Sequence, residues 1–102
     1  MLTPMEDLYD RIDRELGDAK TYAWKALEYK SEHPDLAKAF STLAEDELRH
    51  ATTLNLEADK LVKKAGTPDS REAMTGIDSF FKKKMHERVI TVRTALTEYK
   101  GG

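Results

Sequence analysis

Apolar residues recur at alternating three- and four-residue intervals along nearly the whole chain, and the rhythm breaks in three places. At "TPME" Thr3 is placed to cap a helix, Pro4 opens it at the first helical position, and Glu6 completes a capping box. At "SEHPD" His33 precedes Pro34 and is pushed out of helical geometry; Pro34 then starts a new helix with Asp35 near its positive end. At "AGTPDSRE" Gly66 ends that helix, and Asp69 or Ser70 caps the next. The pattern predicts three helices near 4–32, 34–65 and 70–99, with "YKGG" as a fraying end. Period-two alternation and β-branched runs are absent, so strands are not expected. Each helix spans roughly 45 Å at 1.5 Å per residue, so the three must lie side by side. The turn at 33 is very short, which makes the first two an antiparallel hairpin. The expected class is all-α, one domain over residues 1–102.

The heptad lines say what faces inward. In the first helix Met5, Ile12, Ala19 and Ala26 run beside Leu8, Glu15, Tyr22 and Tyr29, an a/d-type seam. In the second, Phe40, Glu47, Leu54 and Leu61 run beside Leu36, Leu43, His50 and Glu57. A flanking stripe of Ala37, Ala44, Ala51, Ala58 and Ala65 reads as packing, because small side chains let a neighbouring helix come close. In the third helix Met74, Ile77, Phe81, Met85, Val89, Val92, Leu96 and Tyr99 form the apolar line.

Three polar residues interrupt these seams: Glu15, Glu47 and His50. Glu15 lies 18 residues before the turn, and Glu47 and His50 lie 14 and 17 after it, so all three fall at about the same height on the hairpin. Burying an unpaired carboxylate costs several kcal/mol, roughly, and two side by side repel. A bound dication removes both problems and accepts imidazole as a neutral ligand. The spacing E-x-x-H puts Glu47 and His50 on one helix face. Taken alone the motif is weak; its weight comes from the second carboxylate at matching height.

Composition narrows the functional classes. Of 102 residues 35% are charged, and the net charge is −2, so no general affinity for nucleic acid or for an anionic membrane is expected. The basic run "FKKKMHER" reads as a solvated helix face. There are no cysteines, which excludes disulfides, thiol nucleophiles and thiolate metal sites. "MLTPMEDL" lacks the regions of a signal peptide, and no apolar run approaches the roughly 18 residues of a membrane span. A soluble, cytoplasmic protein is expected.

The phrases "ELGDAKTYAWKAL" and "PDLAKAFSTLAEDELRHATTL" resemble the ferritin-like superfamily, particularly rubrerythrins and the half-bundles of encapsulated ferritins. There a helix-1 Glu is followed seven residues later by Tyr, as Glu15 is by Tyr22, and a second helix carries A-x-x-E-x-x-H-A, matched by Ala44, Glu47, His50 and Ala51. The resemblance covers roughly residues 5 to 62. It implies a carboxylate-bridged di-iron or di-manganese centre, with Glu15 a terminal or chelating ligand, Glu47 the bridge, His50 a terminal ligand and Tyr22 beside the centre. The family site needs two such ligand sets, and this chain supplies one. His86 has Lys83, not Glu, at the matching spacing. A two-fold homodimer packed hairpin to hairpin, or a higher homo-oligomer, would complete a four-helix bundle and its ligand set, with the third helix outside.

The function this implies is Fe(II) oxidation by dioxygen or peroxide; nothing in the sequence chooses ferroxidase over peroxidase, or iron over manganese. Without cysteine the rubredoxin-like electron chain of a full-length rubrerythrin is not expected here, nor is an encapsulin-type tail after "TEYKGG". The alternative is a metal-free helical oligomer serving as a scaffold or interaction module. Of the remaining residues, His33 is expected at the surface, Glu57 in solvent, His86 and Glu87 at the surface, and Trp24 against either the third helix or a partner.

Overall fold

The computed structural model describes residues 3–101; Met1, Leu2 and Gly102, and with Gly102 the end of the expected fraying tail, lie outside them. Three helices account for almost all of it: α1 (Pro4–Tyr29), α2 (Pro34–Lys63) and α3 (Pro68–Tyr99), with no strand among the described residues. No helix is long and apolar enough to cross a membrane.

The helix starts follow from local chemistry. Thr3 Oγ1 accepts from the Glu6 N–H at 3.2 Å, and its hydroxyl donates to the Glu6 carboxylate at 2.9 Å. Pro34 opens α2 without a side-chain cap, His33 being its cap residue. α3 starts earlier than expected: Thr67, not Asp69 or Ser70, is its cap, accepting from the Ser70 N–H at 3.0 Å. Pro68 occupies the first turn, where its missing N–H costs nothing. α1 and α2 end a few residues short of the expected limits, at Tyr29 and Lys63. α3 closes on Gly101, whose φ of +84° suits only a residue without Cβ, and whose N–H donates to the Glu98 carbonyl at 3.0 Å.

α1 and α2 form the antiparallel hairpin, and α3 runs parallel to α1 along one side of it. Small residues meet at the hairpin seam. Ala19, Ala23 and Ala26 of α1 and Ala37, Ala44 and Ala58 of α2 are completely buried. The few large buried side chains, Ile12 and Leu16 of α1 and Val92 of α3, fill the space between this seam and α3. α1 packs on both other helices, whereas α2 and α3 touch least. Their junction is polar: Lys82 pairs with Asp59, and Lys100 meets Glu45 at 2.8 Å. Arg88 of α3 pairs with Asp13 of α1.

The register departs from expectation by one position. In α1 the buried line is Tyr9, Ile12, Leu16, Ala19, Ala23 and Ala26, spaced 3, 4, 3, 4, 3. The line Leu8, Glu15, Tyr22, Tyr29 is half-buried beside it. In α2 the alanine stripe is the centre of the seam rather than its flank. Phe40, Glu47, Leu54 and Leu61 are half-buried, and Leu36, Leu43, His50 and Glu57 are exposed. The cause is the width of the apolar arc. Both helices carry apolar residues over more than 100°, which covers one flank as well as the true centre.

α3 shows the same slip. Asp78, not Ile77, continues the 4, 3, 4 spacing through Met74, Phe81 and Met85, so Asp78 is buried and Ile77 is 51% exposed. The buried carboxylate is satisfied: Tyr9 Oη donates to Asp78 Oδ1 at 2.7 Å, and Lys82 reaches Asp78 at 2.8 Å while also pairing with Asp59. Tyr9 stacks on Phe81 with ring centroids 4.2 Å apart. Burial, then the Asp78 carboxylate beside it, pushes the Tyr9 phenol well above its ordinary range; the hydrogen bonds to Asp59 and then Asp78 raise Lys82. The phenol stays neutral and the ammonium charged, and one network ties all three helices together.

Ala44 has no exposed surface, so Ala44→Leu overpacks the seam and is expected to lower stability by about 1–3 kcal/mol. Urea denaturation followed by circular dichroism reads the change; an unaltered midpoint would show that the helices do not meet closely there.

Candidate metal centre

α1 and α2 bring Glu15, Glu47 and His50 to one spot. One ligand atom from each lies within 4.8 Å of the other two. His50 Nδ1 is 3.6 Å from Glu15 Oε2 and 3.6 Å from Glu47 Oε1. Convergence follows from the hairpin geometry: the short turn fixes the heights, and the alanine seam fixes the approach.

These distances are too long for hydrogen bonds. Glu47 Oε2 is sealed from solvent with no hydrogen-bond partner among the described residues. The three groups are thus collected without being satisfied by one another. A small dication holds oxygen and nitrogen ligands at about 2.0–2.2 Å, so neighbouring ligand atoms around it stand some 3–4 Å apart. The observed spacing is close to that range, and the orphaned oxygen supplies an unused acceptor. Two carboxylates and an imidazole form a donor set that suits a divalent metal ion.

The cluster sits elsewhere than the sequence suggests. The Glu47 side chain is 16% exposed, Glu15 28% and His50 57%. It lies at the edge of the seam, on the hairpin face turned away from α3. Asp13 and Glu45 face α3 through Arg88 and Lys100. Glu15 and Glu47 are each two residues further on, so at 100° per residue they point about 200° away.

Most heptad neighbours of the cluster on that outer face are apolar; Glu57, one heptad past His50, is the exception. One heptad from Glu15 towards the turn is Tyr22; one heptad from Glu47 in the same direction is Phe40. Their rings stack 6.0 Å apart, and Phe40 also stacks with Tyr29. One heptad the other way, Leu8 and Leu54 pack against the core of Tyr9, Ile12, Leu16 and the alanines. Leu36 and Leu43 remain 43% and 42% exposed. The cluster is a polar island in an uncovered apolar strip.

Other expected positions are placed as follows. Glu57 is exposed and held by Lys60 at 2.8 Å. His33, His86 and Glu87 are exposed. Trp24 is 53% exposed with the Lys20 ammonium 4.5 Å from its ring centroid. Sequence reasoning passed over the Tyr9–Asp78–Lys82–Asp59 network, although Asp78 four residues before Lys82 and in step with Met74, Phe81 and Met85 was the available signal.

No family model matches the chain, and neither a curated protein nor a solved structure does so.

In the metal-free protein an apolar residue of similar size at position 47 removes a buried, unpartnered oxygen. Glu47→Met is therefore expected to raise metal-free stability by about 1–3 kcal/mol. Thermal melts in chelator measure this; a loss of stability would mean that Glu47 is already satisfied without an ion.

Proposed function

We propose that Glu15, Glu47 and His50 hold iron at the interface of a homodimer, and that the protein is a ferritin-like di-metal protein that oxidises Fe(II) with dioxygen or peroxide. The observation that carries this is Glu47: its Oε1 faces His50, and its Oε2 is buried without a partner among the described residues. A carboxylate with both oxygens available is suited to bridge two ions, with Glu15 and His50 as terminal ligands. Manganese suits the same donors.

One chain offers two carboxylates and one imidazole, too few to cage a pair of ions. A second copy laid on the outer face doubles the set to four carboxylates and two imidazoles, the composition of ferritin-like di-metal sites. The same docking covers Leu36, Leu43, Tyr22, Phe40 and Leu54, which otherwise remain open to water in whole or part. α3 lies on the opposite face and does not obstruct it.

Bound iron supplies one-electron redox chemistry toward dioxygen or peroxide. The chain's own residues do the rest. Glu15 and Glu47 balance the charge of the ions, and His50 offers a neutral nitrogen. The Tyr22–Phe40 pair and Leu8–Leu54 wall the site along the helix axis and keep bulk water out once the partner is in place. A cytoplasmic setting, where Fe(II) persists and a cysteine-free chain needs no oxidising compartment, suits this reading.

Protein purified without chelator and loaded anaerobically with Fe(II) is expected to carry about two ions per dimer, to melt at higher temperature than the metal-free form, and to lose both properties in Glu47→Ala. Elemental mass spectrometry, melting curves and light scattering read the three quantities. Absence of bound metal, together with no melting shift from Fe(II) or Mn(II), would leave a metal-free helical assembly protein instead.

A further inference from the structure

A second feature lies in α3 and stands independently of the metal reading. The helix is held on the hairpin along only part of its length. From Phe81 onward it is packed. Phe81, Met85 and Val89 lie against the core of Tyr9, Ile12, Leu16, Ala51 and Ala58, and Val92, Ala95 and Leu96 share a core with Ala19, Ala23 and Ala44. Residues 68–77 have none of this. All are exposed except Met74, which is half-buried, and none packs against either core. Among the described residues the only side-chain hydrogen bonds of this stretch are those between Ser70 and the cap residue Thr67. An open groove of about 1410 Å³ lies between it, the start of α1 and the end of α2.

Ten residues of unpacked helix fall short of the roughly 12–15 needed for even marginal helicity in water. Gly76 weakens the stretch further, and no close approach requires a glycine there, since nothing lies within 4 Å of where its Cβ would stand. What holds the stretch is its two ends. At one end are the Thr67 cap and the short link to α2. At the other is Asp78, 6% exposed, which accepts from Tyr9 Oη at 2.7 Å and meets Lys82 at 2.8 Å, while Lys82 also pairs with Asp59 of α2. Counting from Pro68, Asp78 is the first residue of α3 with a side-chain bond to the hairpin among the described residues.

We propose that α3 is divided at Asp78 into a fixed strut, residues 81–99, and a releasable arm, residues 68–77, that opens and closes on an intact hairpin with the Tyr9–Asp78–Lys82 contact as its clasp. Opening breaks backbone bonds that are already exposed and gives up almost no buried apolar contact, the condition under which a segment opens by itself rather than with the whole chain. It bares Met5, Leu61 and Phe81 on the groove floor. The outer face with Glu15, Glu47 and His50 is untouched, because α3 lies opposite.

Native-state hydrogen exchange on the intact, metal-free chain, read amide by amide by NMR, tests this. Relative to their intrinsic rates, the helical amides at 72–77 are expected to exchange at least about 100-fold faster than those at 89–96. Asp78→Asn keeps the shape of the clasp and removes its charge; it is expected to speed exchange at 78–82 about tenfold while 89–96 stay within about twofold. Gly76→Ala adds a better helix former and is expected to slow exchange at 72–77 about threefold. Circular dichroism checks that each variant keeps its helix content. If Asp78→Asn loses it, Tyr9→Phe, which keeps the ring on Phe81 and removes the hydroxyl, is expected to speed exchange at 78–82 about threefold. Equal protection along the whole of α3 would overturn the proposal. So would a clasp variant that speeds exchange equally at 78–82 and 89–96, or a Gly76→Ala that slows 89–96 as much as 72–77, because the chain would then open as one unit.

Discussion

Close approach of α1 and α2 is the constraint on which the rest of the structure depends. Alanines make it possible: Ala19 and Ala23 pack with Ala44 in one cluster, and Ala51 and Ala58 pack against Tyr9, Ile12 and Leu16 in another. Each buries little area, so the seam is held by many short contacts rather than by a few large side chains. Bulkier residues would widen the hairpin and carry Glu15 away from Glu47 and His50. The same economy leaves the core thin, with Ile12, Leu16 and Val92 its only large residues sealed completely among those described. Part of the remaining apolar surface, from the exposed Leu36 and Leu43 to the half-buried Tyr22 and Phe40, lies on the face that holds the Glu–Glu–His cluster.

Two polar groups in this molecule invite opposite readings because their hydrogen bonding differs. Asp78 is more deeply buried than Glu47, yet Tyr9 and Lys82 satisfy it, and Lys82 extends the network to Asp59. A buried carboxylate so completely paired needs no ligand to explain it; its role is to fix α3 on the hairpin. Glu47 is less buried but has an oxygen with no partner among the described residues, and the His50 imidazole stops 3.6 Å from its other oxygen. Leaving an acceptor unmade costs more than a typical hydrogen bond contributes. The difference in satisfaction, not the difference in burial, is what supports the proposal that the cluster around Glu47 is a metal site.

The three helices were legible in the sequence because Pro4, Pro34 and the segment around Pro68 punctuate a strong 3,4 rhythm. The heights of Glu15, Glu47 and His50 were legible for the same reason: a short turn converts sequence distance into axial distance. The rotation of each helix was not. Leu8 and Tyr9, or Leu43 and Ala44, are equally apolar neighbours 100° apart, and only the third helix decides which of them is central. Ile77 drew the register of α3 away from Asp78 because chemistry was weighed above spacing; the partner that makes Asp78 tolerable, Tyr9, lies 69 residues away.

The most direct test of the account is a crystal structure of the protein grown anaerobically with Fe(II), with anomalous data collected at the iron edge. A di-metal centre shared by two copies gives two iron peaks related by a two-fold axis, on the hairpin face opposite α3, ligated by Glu15, Glu47 and His50 from both copies. Iron absent from that face, with the three side chains hydrogen-bonded to one another or to water, would contradict it.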